Sequence, residues 1–206
     1  MKIYEYGEAN AATILIQPVD DHDMAELDAE IKEIKRLTDT DFCLLAMKVD
    51  NWNHDLSPWE APAILGDDAF GDGAKTTLTE ILRLCGDNDK RYFLGGYSLA
   101  GLFSLWSSYQ SDIFAGIAAA SPSVWFPGFA EYMRENRSKA RKVYLSLGDK
   151  EEKTKNPVMA KVGVCIREGY ALLCQQGVKS ILEWNNGGHF KEPELRTARA
   201  FAWILK

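Results

Sequence analysis

Apolar positions along the chain follow two rhythms. Short runs in which nearly every residue is apolar or small occur at 11–16, 42–49, 91–97, 114–120, 142–147 and 179–184, and runs of this length rich in branched and aromatic residues read as buried strands. Between them the spacing changes. Met24, Leu27, Ile31, Ile34 and Leu37 recur every three or four residues, which predicts an amphipathic helix over 22–37 with Asp20, Asp21 and Asp23 suited to its N-terminus. Further helices are expected over 74–85, 99–109 and 128–136, over 157–176 with Pro157 in the first turn, and from about 192 to the end of the chain. Six main strands alternating with helices predict a mainly parallel α/β sheet with helices on both faces. Pro18 should end the first strand, since it has no N–H for a central ladder, and the residues before 11 are candidates for an edge strand. No linker or repeat divides the chain, so residues 1–206 are read as a single domain. The one long connection, 50–73, is rich in Asp, Pro and Gly, and connections of that length are usually functional or flexible.

Mainly parallel sheets place their sites beyond the carboxyl ends of the strands, and three of those ends carry reactive side chains. The run 91–97 leads into Gly96-Tyr97-Ser98-Leu99-Ala100-Gly101, a sharp strand-to-helix corner with small residues two before and two after the serine. Glycine and serine are common, so this pattern alone is weak. It gains weight from Asp149, Glu151 and Glu152 after the strand 142–147, and from His189 after the strand 179–184. A serine hydroxyl needs an imidazole to take its proton and a carboxylate to orient that imidazole, and serine, acid, histidine is one of the known chain orders of such triads. His22 and His54 fall at a helix start and in the long connection, where a surface or binding role is expected. The three carboxylates are not separated at this point. One oxyanion donor should be the N–H of Leu99, at the start of the helix; the other should come from the turn after the first strand, where Val19 is favoured because Pro18 lacks an N–H. A Gly-rich segment is absent there.

Composition removes some alternatives. The chain has a net charge of −6, and phosphate backbones call for a basic surface, so nucleic acid is not an expected partner. No apolar run is long enough to span a bilayer. The first residues lack a basic segment followed by a long apolar one, so a cytoplasmic location is expected. Cys43, Cys85, Cys165 and Cys174 are scattered, unlike metal-type pairs, and read as buried free thiols. No metal or organic cofactor is expected.

With these residues in view, the chain resembles the α/β-hydrolases, and among them serine esterases related to esterase D and the enterochelin (ferric-siderophore) esterases. The resemblance rests on Gly-Tyr-Ser-Leu-Ala-Gly at 96–101, Ser-Pro-Ser-Val-Trp at 121–125, the loop 148–151 and Gly188-His189-Phe190. It implies a compact α/β-hydrolase fold without a separate lid domain, and a carboxylic-ester hydrolase that acts on a small-molecule ester through an acyl-enzyme on Ser98. It also favours Glu151 as the acid, three residues after Gly148, ahead of Asp149 and then Glu152. Trp125 would lie beside the nucleophile, while Trp52 and Trp59 would cover the pocket from the long connection. Siderophore esterases commonly surround their large anionic ligands with basic residues, and no dense basic cluster is present here. The alternatives are an amide or thioester hydrolase, which would share the tetrahedral intermediate, and a non-catalytic binding protein of the same fold. The oligomeric state has no signature in the sequence.

Overall fold

The computed structural model describes residues 1–64 and 66–206. The elements run β1 (Lys2–Gly7), β2 (Thr13–Val19), α1 (Asp21–Leu37), β3 (Cys43–Lys48), α2 (Trp52–Asp55), α3 (Ala74–Leu84), β4 (Arg91–Tyr97), α4 (Ser98–Gln110), β5 (Phe114–Ala120), α5 (Phe129–Glu135), β6 (Lys142–Gly148), α6 (Val162–Gln175), β7 (Lys179–Asn185) and α7 (Pro193–Leu205). Their order across the sheet is β1-β3-β2-β4-β5-β6-β7. Every neighbouring pair is parallel except β1 with β3, which is antiparallel. The expected edge strand is therefore β1, a seventh strand that stands almost entirely exposed.

The continuous apolar runs have their cause in this layering. β2 is buried at all seven positions and β4 at six of seven, because both faces of the sheet are covered. One core joins Ile14, Ile16, Leu94, Ile117 and Leu145 of the sheet to α3, α4, α5 and α6. On the other face Leu15, Val19, Phe93 and Tyr144 meet α1 and α7. Helix α1 starts with the acidic turn expected of it: Asp20 caps Asp23, and Asp23 returns a bond to the Asp20 N–H.

Two expectations need correction. β2 does not stop at Pro18 but continues to Val19. Its pairing with β4 ends at Ile16–Leu94, whereas its pairing with β3 continues to Val19–Lys48. The Val19 carbonyl accepts from the Val49 N–H on the β3 side. Alternate strand residues point their polar groups to opposite sides, so Pro18 turns its missing donor toward the flank that β4 has already left. The helix expected from 157 begins instead at Val162, preceded by a separate 3₁₀ turn at Met159–Lys161. There the Asn156 side chain accepts from the N–H groups of Val158 and Met159, supporting a local turn.

Strand order reverses between β2 and β4. β2 is followed on one side by β3, whereas β4 is followed on the other by β5, β6 and β7. Such a reversal leaves a crevice at the carboxyl ends, because the two connections leave in opposite directions.

Candidate active site

Ser98 stands on one lip of that crevice and Asp20 on the other. Ser98 has a φ of 54°, a left-handed conformation that costs a non-glycine residue energy and pushes its side chain out of the corner. The corner is tight because strand and helix nearly touch: a Cβ placed on Gly96 would lie 2.6 Å from the Ala100 Cβ. Beside it, β5 pairs with β4 as far as Tyr97–Ala120, and the next residue, Ser121, is also left-handed with a φ of 41°. Two neighbouring strands thus end in matching corners.

His189 reaches this point from the turn after β7. Its Nε2 lies 3.0 Å from Ser98 Oγ, and its Nδ1 lies 2.7 Å from Glu151 Oε2. These contacts assign the Nδ1 proton to the carboxylate side and leave the Nε2 lone pair facing the serine. Glu151 lies in a 3₁₀ turn after β6 and is buried. Burial works against its charge, but hydrogen bonds from His189, the Gly148 N–H and Ser121 outweigh it and hold the carboxyl below its ordinary range.

The other two carboxylates are committed elsewhere. Asp149 accepts the Gly187 N–H at 2.8 Å, so it ties the β6 turn to the turn that carries His189. Glu152 makes a two-pronged bond with Arg167 on the surface. Among the three, Glu151 is the one that the structure brings to His189.

Two participants were not found from the sequence. Arg196 of α7 is 1% exposed; its Nη1 lies 3.0 Å from Glu151 Oε1 and 3.1 Å from the Tyr97 hydroxyl, and its Nη2 donates to the Gly188 carbonyl at 3.0 Å. One guanidinium therefore fixes both the acid and the turn beside His189. Its signal was its position, on the same helical face as Ala200, Phe201 and Ile204, where an apolar side chain belongs. Ser123 is the other. Its Oγ lies 3.2 Å from Ser98 Oγ, and its N–H donates to the Ser98 carbonyl. Tyr97 completes the surround by donating its hydroxyl to the His189 carbonyl at 2.6 Å, and burial pushes that phenol up to about 12.

Two cavities of about 200 Å³ each flank His189 and Phe190. The first contains Ser98 and is walled by Asp20, Asp23, His22 and Trp52. The second is walled by Trp125, Met159, Val162 and Lys150. Trp52 and Trp125 thus line different compartments. Trp59 does not line either one: its indole donates to the Pro127 carbonyl at 2.8 Å, and its ring packs on Phe126, Phe129 and Tyr132. A half-buried indole with its N–H satisfied and its ring against three others has a packing role. His54 pairs with Asp55 on the surface.

Leu99 begins the first turn of α4 directly after Ser98, where backbone N–H groups have no intrahelical partner. Val19 does not suit the second oxyanion donor. Its polar groups are turned toward β3, away from Ser98, by the same alternation that accommodates Pro18. The Asp20 N–H bonds to the Asp23 carboxylate at 3.3 Å. No cluster of metal-ligating side chains occurs among the described residues, and no helix among them is long and apolar enough to cross a membrane.

No protein-family model matches the chain, and no curated protein matches it in sequence. Solved structures do match. The siderophore hydrolase EstA from Aspergillus nidulans superposes with a TM-score of 0.70 at 20% identity, over 96% of this chain and 84% of that one. An IroE-like serine hydrolase from Shewanella oneidensis gives 0.71 at 13% identity, over 98% and 72%. The esterase Pf2001 from Pyrococcus furiosus gives 0.60 at 13% identity, over 95% and 83%. At these identities the likeness is one of fold, and the fold is that of the α/β-hydrolases.

Proposed function

We propose that this protein is a serine hydrolase acting on small-molecule carboxylic esters. The observation that carries the reading is the continuous chain Glu151–His189–Ser98, with contacts of 2.7 and 3.0 Å ending on a serine held in a left-handed corner. His189 Nε2 takes the Ser98 proton as Oγ attacks the carbonyl, and then returns it to the departing alcohol. Glu151 keeps the Nδ1 proton in place and balances the imidazolium that forms. The Leu99 N–H, in the first turn of α4 beside Ser98, receives the oxyanion. Water then attacks the acyl-enzyme from the same base. The solved structures of similar fold include a siderophore hydrolase and an esterase, which supports ester chemistry over amide hydrolysis.

The test is labelling and turnover together. The wild-type protein is expected to react with a fluorophosphonate probe at Ser98 and to hydrolyse short-chain p-nitrophenyl esters. Ser98→Ala should lose both, with kcat reduced by about 10³-fold or more. Turnover that survives Ser98→Ala, or a wild type that neither labels nor hydrolyses, rules the reading out.

A further inference from the structure

The two cavities differ in charge, and that difference bears on which ester enters. Asp20 and Asp23 both face the cavity that contains Ser98, and its wall includes no lysine or arginine. Neither carboxylate is free to swing away. Asp20 Oδ1 accepts the Asp23 N–H at 2.8 Å and Asp23 Oδ2 accepts the Asp20 N–H at 3.3 Å, so each is anchored through one oxygen. Neither forms a salt bridge among the described residues. Their partners are backbone dipoles at a helix start, which steady a negative charge without cancelling it.

Aromatic side chains share the same wall. Trp52 is half-buried in the cavity wall, and Phe190 projects into solvent between the two cavities, 90% exposed. Anchored carboxylates beside aromatic rings form an environment that favours a cation, by direct attraction and through the rings' negative faces. On the far side of His189, Trp125, Met159 and Val162 offer apolar surface, and the charged side chains in the wall, Lys150 and Glu151, are of opposite sign.

Resting on the serine-hydrolase reading above, we propose that the Asp20–Asp23–Trp52 compartment selects esters carrying a positive charge close to the scissile carbonyl, with the apolar remainder of the substrate lying against Trp125. The charge is kept there at a cost to the fold. Burial, reinforced by Asp20, pushes Asp23 up to about 6. Because that pKa is raised, ionised Asp23 subtracts from stability above about pH 6 and ceases to do so once the pH falls below the ordinary carboxylate value. At pH 8, above that value, Asp23 is ionised and meets the substrate as an anion.

The experiment compares matched esters at pH 8 and low salt. One pair is butyrylcholine against 3,3-dimethylbutyl butyrate, which differ in the alcohol only by nitrogen for carbon. The other is p-nitrophenyl 4-(trimethylammonio)butanoate against p-nitrophenyl 5,5-dimethylhexanoate, which differ in the same way in the acyl group. In at least one pair the cationic ester is expected to have a kcat/KM about tenfold above its neutral twin. The ratio should fall toward one in Asp20→Asn/Asp23→Asn, where asparagine keeps the capping acceptors, and in the wild type as salt screens the charge. The salt series needs no variant, so it decides the matter even if the double variant does not fold. Hydrolysis of the neutral esters through Ser98 with ratios of one or below in both pairs overturns the inference and leaves the hydrolase reading standing. Failure to hydrolyse any of the four, with no fluorophosphonate labelling, overturns both.

Discussion

Glu151 has to remain ionised where water scarcely reaches it. The carboxylate manages this by accepting four protein hydrogen bonds, from His189, Ser121, Gly148 and Arg196, and its pKa is lowered despite burial. A lowered folded pKa means that ionised Glu151 stabilises the fold above the ordinary carboxylate range, and that this contribution disappears as pH falls through the folded value. Glu151→Gln is accordingly expected to lower Tm at pH 7 and to matter less near pH 3, which thermal unfolding at the two pH values checks. The same change should reduce kcat by about 10²–10⁴-fold, since the amide no longer fixes the His189 tautomer. Asp149→Asn, which keeps an acceptor for the Gly187 N–H, should leave kcat within about tenfold of wild type. Arg196 poses the converse problem, for removing it strands a buried anion. Arg196→Met should cost about 3–5 kcal/mol in denaturant unfolding. If the charge pair is the cause, Arg196→Met/Glu151→Gln will be more stable than Arg196→Met alone, a coupling that loss of packing would not produce.

At the scale of elements, the corner between β4 and α4 depends on what is missing from Gly96. Gly96→Ala would place its Cβ 2.6 Å from that of Ala100, so the strand and helix must separate. The expected result is a loss of about 1–3 kcal/mol in unfolding free energy, with a fall in kcat from a displaced Ser98. Elements of this kind were legible in the sequence because period and punctuation are local: β4, β5 and β7 lie within a residue of where the apolar runs place them. That Ser98, His189 and a carboxylate after β6 would lie near one another was legible for a related reason, since a parallel sheet brings its strand ends to one edge; the choice of Glu151 among the three rested on the resemblance. What escaped was set by neighbours in space. Whether Pro18 ends β2 depends on where β4 departs, and whether Val19 donates to the site depends on which side β3 lies. Trp59 and Trp125 look alike in the sequence, and only the packing of Phe126 and Phe129 separates a packing indole from a cavity wall. Arg196 was hidden by the rule that buried helical positions are apolar, which the site breaks in order to hold Glu151.

Across the whole molecule, the sheet is deeply covered at its centre and lightly held at one edge. β1 pairs with β3 alone and buries little, whereas β4 and β5 lie between both cores. Native-state hydrogen exchange should therefore find the β1 amides opening well before those of β4 and β5, with protection at β4 approaching the global unfolding free energy. The crevice at the strand reversal belongs to the well-protected part, so the site is expected to stay formed while the edge frays. The location of Arg196 has a consequence in time as well. Ser98, its corner and the neighbouring serine turn all precede Glu151 in the chain, and domains emerging from a ribosome begin to organise from the N-terminal side. Glu151, however, is clamped by a guanidinium on α7, 45 residues further along the chain. Until α7 has emerged and docked, Glu151 lacks the guanidinium that fixes it, so the line of contacts from Glu151 through His189 to Ser98 closes late in folding.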